Sequence, residues 1–182
     1  MPITYTSSNT AVATINGNIV TIVGVGTTTI TASQAGDGNY NAATDVSQTL
    51  TVNKASQSIT FNTIPTKVFT DLPFSLNGTA SSGLSVSYTS SNSAVATVTG
   101  NVVTIVGVGS TTITASQAGN DNFYAANDVQ QTLIVSKANQ TLSSITVSIS
   151  KTYGAASYSS GSVASSGLTV SYTSSNTTVA TV

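Results

Sequence analysis

The sequence predicts an all-β chain of tandem β-sandwich repeats, one complete and two partial. Three observations carry that prediction. The first is repetition: residues 5–36 return almost letter for letter as residues 88–119, an offset of 88 − 5 = 83 residues. The same run starts a third time at Tyr172 and reaches Val182, with one extra residue, 172 − 88 = 84. A fixed period marks a repeated structural unit and is read before anything else. The second observation is composition. Four lysines and five aspartates are the only charged side chains, while Val, Ile, Thr, Ser and Ala abound. β-branched residues suit a pleated, half-buried surface, and disordered chains are poor in them and usually highly charged. The third is rhythm, with short alternating runs broken at close intervals by Gly, Asn, Ser and Pro.

The joints follow from the repetition. Lys54-Ala55-Ser56-Gln57 and Lys137-Ala138-Asn139-Gln140 mark the same place in successive copies. Residues 1–54 are therefore the C-terminal part of one repeat, 55–137 a complete repeat of about 83 residues, and 138–182 the N-terminal part of a third. Met1 stands where the other copies have Leu84 and Leu168. It reads as a repeat residue, and the chain as a window on a longer protein. The two partial repeats complement each other, which leads us to expect head-to-tail self-association through their uncovered edges.

Within the complete repeat, residues 58–61 form the first strand, with 67–69 a continuation beyond Pro65. Residues 74–79 form the second and 86–90 the third. There Val86 and Tyr88 alternate with Ser87 and Thr89, the period of two of a half-buried strand. Residues 94–98 and 102–106 make a hairpin. Asn16-Gly17 invites a type I′ turn, but the second copy has Thr99-Gly100; both keep Gly-Asn, at 17–18 and 100–101. Gly in the first loop position selects type II′. Residues 111–115 follow, with Ile113 and Ala115 inward and Thr112 and Thr114 outward, and Ile30 is expected to be buried as Ile113 is. A polar loop, 117–128, leads to the last strand, 131–135. Seven short strands without helical periodicity specify a β-sandwich.

The run Tyr-Thr-Ser-Ser-Asn-x-x-Val-Ala-Thr-Val, followed by Gly-x-Val-Thr-Ile-x-Gly-x-Gly-x-x-Thr-Ile-Thr-Ala, resembles the bacterial immunoglobulin-like (Ig-like) repeats. Residues 35–43 and 118–126 are similar to the closing segment of related Ig-like groups. The resemblance covers essentially the whole chain. It implies tandem Ig-like β-sandwiches of the kind found in giant secreted surface adhesins, including those flavobacteria use for gliding. By that likeness the chain is a stalk or filament module outside a bacterial cell, and no catalytic residues carry over.

The chemistry on offer is sparse. Near-zero net charge leaves no basic patch for phosphates, so nucleic acid is not an expected partner. No apolar run approaches the roughly 20 residues that cross a bilayer. With no Cys, disulfides and thiolate metal sites are absent. Asp37, Asn39 and Asp45 have the oxygen chemistry of a calcium site, as do Asn120, Asp121, Asn122 and Asp128 in the second copy. The carboxylate shifts by one position between copies, which favours solvated turns. An isopeptide bond needs a buried Lys, an Asn or Asp partner and a carboxylic acid of raised pKa; Glu is absent and Lys54 and Lys137 sit at joints, which leaves Lys67 alone, and no such bond is expected. Tyr5, Tyr88 and Tyr172 lie on an alternating strand and read as core. Ser and Thr lack a His base and read as solvent-facing cover, so no enzyme and no cofactor are expected. The function expected is a semi-rigid spacer whose partners are neighbouring repeats. The rival is a carbohydrate- or surface-binding module using the loop at 120–128, where Asn41 is replaced by Tyr124 and surface glycans would be the ligands.

Overall fold

The computed structural model describes residues 2–143, 149–159 and 161–182, so Met1 and its expected role lie outside the described residues. The chain divides into two units, Met1–Ser136 and Lys137–Val182. The first holds strands β1 (Thr4–Ser7), β2 (Ala13–Asn16), β3 (Ile19–Ile22), β4 (Gly26–Ser33) and β5 (Val46–Val52). After the joint come β6 (Ile59–Thr60), β7 (Lys67–Val68), β8 (Phe74–Ser75), β9 (Thr79–Ala80) and β10 (Ser87–Ser90). They are followed by β11 (Ala96–Thr99), β12 (Val102–Ile105), β13 (Gly109–Ser116) and β14 (Val129–Ser136). The described chain is all-β.

The complete repeat closes as two layers. One sheet has the order β10-β13-β14-β7, antiparallel except for the β14–β7 pair; the other has the order β11-β12-β8. β6 pairs with β9 as a separate two-stranded piece. Side chains from both layers share one core: Ile113, Ala115, Leu133 and Val135 on one side, Val95, Ala96 and Val103 on the other, with Ile59, Phe61 and Leu76. Ile113, Leu133 and Val103 are fully buried. The expected alternation holds, with Val86 and Tyr88 half-buried and Ser87 and Thr89 exposed.

The hairpins carry the expected turn. Thr99 pairs with Val102, and Asn16 with Ile19, so Gly100-Asn101 and Gly17-Asn18 are two-residue loops. Gly100 has φ 60° and Gly17 φ 61°, while no non-glycine residue has positive φ. Positive φ at the first position alone is the type II′ signature.

Two strands differ from expectation for one reason, a change of partner. The first strand divides around Pro65: β6 pairs with β9, and β7 joins β14 in the larger sheet. The expected single strand 74–79 also divides, β8 pairing with β12 and β9 with β6. Between them the Gly78 carbonyl accepts a hydrogen bond from the Tyr88 hydroxyl, 3.2 Å. The Tyr88 ring packs against Phe61 with centroids 5.5 Å apart.

Three burial expectations are corrected. Tyr5 and Tyr172, expected in the core, are 37% and 38% exposed, and of the three tyrosines only Tyr88 packs against the core cluster. Ile30 is half-buried, unlike Ile113. Ile113 belongs to one core cluster with Ile59, Phe61 and Leu76, residues without counterparts in 1–54. The hydroxyl side chains are not all solvent cover either, because Thr28 and Thr111 are buried at 2% and 4% exposure. Thr111 Oγ1 accepts from the Asn92 N–H at 2.9 Å and bonds Ser90 Oγ at 2.8 Å and Ser91 Oγ at 3.2 Å. Thr28 repeats the arrangement with Asn9, Ser7 and Ser8. The Asn92 side chain then caps Ala94 N–H, 3.1 Å. The Ser-Ser-Asn run is thus a hydrogen-bonded hub built on one buried threonine.

In the second unit, Leu142 bridges Ala164, and the Ser165 N–H donates to the Thr141 carbonyl, 2.8 Å. These match Ile59–Ala80 and the Ser81–Ser58 bond of the complete repeat. The Tyr172 hydroxyl donates to the Ser162 carbonyl at 3.3 Å, as Tyr88 does to Gly78.

Candidate functional site

Every sequence-derived candidate outside the strands falls on the closing loops 34–45 and 117–128. Each loop is shaped by its own polar side chains. Asp37 Oδ1 accepts from the N–H groups of Asn39, 2.8 Å, and Tyr40, 2.9 Å. Asn120 Oδ1 does the same for Asn122 and Phe123, 2.9 Å each. Asp37 and Asn120 are therefore one structural position, an Asx turn that works with either a carboxylate or an amide. Gln34 and Gln117 brace the loops from behind, their Oε1 atoms accepting from Gly36 and Gly119.

Gly36 and Gly119 sit at φ 76° and 78°, and a Cβ on Gly119 would strike the Phe123 carbonyl and come within 2.8 Å of Ala125 N. Gly83 has the same φ with open space around it. Gly119→Ala is expected to open the loop, whereas Gly83→Ala strains only its own dihedral. Hydrogen exchange would read this as lost protection of the Tyr124 and Ala55 amides in the first variant alone; equal protection in both would remove the loop from this role.

Loop 117–128 is bonded to the preceding repeat. The Val25 N–H donates to Asn122 Oδ1, 3.0 Å. Lys54 Nζ donates to the Asn120 carbonyl, 2.8 Å. Ala55 forms a parallel bridge with Phe123: Ala55 N–H donates to the Asn122 carbonyl at 2.9 Å, and Tyr124 N–H to the Ala55 carbonyl at 3.0 Å. Gln57 Nε2 completes the seam on the Tyr124 carbonyl, 2.7 Å. Val25 and Lys54 thus cross between the repeats, while Ala55 and Gln57 fasten the first residues of the complete repeat to its own closing loop.

Asp121 and Asp128 are exposed on this loop, and Asp37, Asn39 and Asp45 on the other. Among the described residues, no three His, Cys, Asp or Glu side chains converge as metal ligands. Asn41 and Tyr124, the recognition candidates, are both exposed, Tyr124 at 55%. Lys67 places its ammonium 4.6 Å from the Phe74 ring centroid, a cation–π contact. A hollow of about 1000 Å³ in the second unit is lined by Tyr153, Tyr158 and Tyr172 among others.

The seam is what the sequence reading missed, and one signal could have found it. Positions 37, 38, 40 and 41 all change between copies, yet Asn39 recurs as Asn122, the residue that reaches the neighbouring repeat. No protein-family model matches the chain, and no curated protein is similar to it at a significant level. Among the described residues no helix is long and apolar enough to cross a membrane.

Proposed function

We propose that the chain is a structural spacer: a run of Ig-like repeats in a long extracellular filament or stalk on a bacterial cell surface, without a reaction or cofactor of its own. The observation that carries this reading is the joint, where Val25 and Lys54 of one repeat bond to the closing loop of the next, and the first residues of that next repeat, Ala55 and Gln57, are bonded to the same loop and leave no slack linker. A joint whose backbone groups are paired transmits orientation from one repeat to the next, which a spacer needs and an independent binding module does not. The adhesin setting comes from the resemblance of the repeated motif, and the spacer role from the joint.

The longest strands of the complete repeat, β13 and β14, have eight residues; at roughly 3.3 Å each, plus loops, a repeat is on the order of 35–45 Å long. Small-angle scattering from three or more complete repeats is expected to give a maximum dimension that grows by about that length per repeat. A particle that stays globular as repeats are added would overturn the proposal. The glycan-binding alternative draws on the exposed Tyr124 ring. A glycan array showing binding that Tyr124→Ala abolishes would decide in its favour.

A further inference from the structure

Residues 76–78 carry the chain from β8, which pairs with β12, to β9, which pairs with β6. Both ends of this crossing are held. The Leu76 N–H donates to the Asn101 carbonyl at 2.8 Å, Asn101 Nδ2 donates to the Leu76 carbonyl at 3.4 Å, and the Leu76 side chain is buried. At the other end the Gly78 carbonyl accepts from the Tyr88 hydroxyl at 3.2 Å. Asn77, between these anchors, is exposed. Among the described residues neither its side-chain amide nor the Gly78 N–H has a hydrogen-bond partner. A free carboxamide thus stands beside a main-chain nitrogen that no Cβ shields and no carbonyl engages.

We propose that Asn77 is a self-modification site, where the chain deamidates and forms isoaspartate with water as the only co-reactant. The Gly78 nitrogen gives its proton to solvent base and attacks Asn77 Cγ. The new N–Cγ bond closes a succinimide ring, the Cγ–Nδ2 bond breaks, and Nδ2 leaves as ammonia. Water then opens the ring on either side of that nitrogen. Breaking the new N–Cγ bond leaves aspartate at 77. Breaking the bond to the main-chain carbonyl leaves isoaspartate, in which the chain runs on through Cγ and is one methylene longer. Either product adds a negative charge to a chain of formal net charge −1. Isoaspartate does more, because its extra methylene lies between the buried Leu76 and the tethered Gly78 carbonyl. The strain falls on β9, whose buried Ala80 pairs with Ile59 of β6. The site lies within one repeat and does not depend on the spacer reading.

The sequence holds one other Asn-Gly pair, Asn16-Gly17, which serves as the internal control. Asn16 is paired with Ile19 across the hairpin turn, so bringing the Gly17 nitrogen onto its Cγ first opens that pairing. The whole folded chain would be incubated at mildly alkaline pH, with both sites followed by peptide mapping and fragmentation that separates the two isomers. Conversion at Asn77 is expected to outrun Asn16 by about tenfold, the effect of one hydrogen bond that has to open first. In urea the two rates are expected to converge. Asn77→Gln is expected to abolish the fast phase of ammonia release and, at an exposed position, to keep the fold. It is preferred to Gly78→Ala, whose Cβ would lie 2.6 Å from the Tyr88 hydroxyl. In the isoaspartate chain the Ser81 N–H, bonded to the Ser58 carbonyl at 2.9 Å, is expected to lose exchange protection; freshly made Asn77→Asp is expected to keep it. Equal conversion of the two sites in the folded chain, a fast ammonia phase that survives Asn77→Gln, or an isoaspartate chain with Ser81 still protected would each overturn the proposal.

Discussion

Ile113→Ala is expected to lower the stability of the complete repeat by about 2–5 kcal/mol, the largest effect of any single truncation considered. Ile113 is fully buried between the sheets and belongs to the same cluster as Leu133 and Val103. Removing its outer carbons loses their transfer free energy and leaves a void that a close-packed interior cannot refill. A domain of roughly 80 residues holds on the order of 4–12 kcal/mol in total, so the variant approaches unfolding. Ile30 supplies the internal control: it has the same sequence position in its repeat and the same strand partner type, but it is only half-buried. Ile30→Ala should cost clearly less. Urea unfolding followed residue by residue, by amide resonances in each repeat, separates the two. A loss at Ile113 below about 1 kcal/mol would contradict the burial on which the core assignment stands.

Repetition and alternation made the all-β class, the strand phases and the hairpin type readable in advance. The type II′ turn is the clearest case. The copies disagree at Asn16 and Thr99 but agree at the Gly-Asn that follows, so comparing repeats removed an ambiguity that one repeat would have left. What was not readable depends on partners far away in sequence. Whether residues 74–80 form one strand or two is decided by which strands lie beside each half, β12 or β6, and local composition carries no trace of that choice. Thr111 is a different kind of miss. Its phase matches Ile113 and Ala115, so the period of two already placed it inward; the hydroxyl argued for solvent, and phase prevailed because Ser90, Ser91 and Asn92 satisfy that hydroxyl. The junction was half visible, in the constancy of Asn39 and Asn122 among changing neighbours. Its meaning required the corner at Val25, which is 97 residues from Asn122 in sequence.

Thr111→Val is expected to cost about 1–3 kcal/mol although it changes neither volume nor strand preference much. Valine is β-branched like threonine and suits β13 equally well. What it removes is the nearer acceptor of the Asn92 N–H, 2.9 Å away against 3.4 Å for Ser90 Oγ, together with the partner of two serine hydroxyls. The serines can turn toward water, but the Asn92 N–H is directed at the buried oxygen. Asn92 also organises the next turn, since its carbonyl accepts from the Val95 and Ala96 N–H groups at 3.1 and 3.2 Å. Loss of the hub should therefore loosen the lead into β11, placing Val95 and Ala96 of the core less firmly. Thr111→Ser separates the two contributions of the side chain, because it keeps the hydroxyl and deletes one buried methyl worth about 0.8 kcal/mol. The order of stability expected is wild type, then Thr111→Ser, then Thr111→Val, with Thr28→Val showing the same direction in the preceding repeat. Hydrogen exchange at Asn92 checks the mechanism directly, since its amide should lose protection in the valine variant and keep most of it in the serine one. If Thr111→Val is as stable as wild type and its Asn92 amide stays protected, the Ser-Ser-Asn run is held by something other than this hydroxyl.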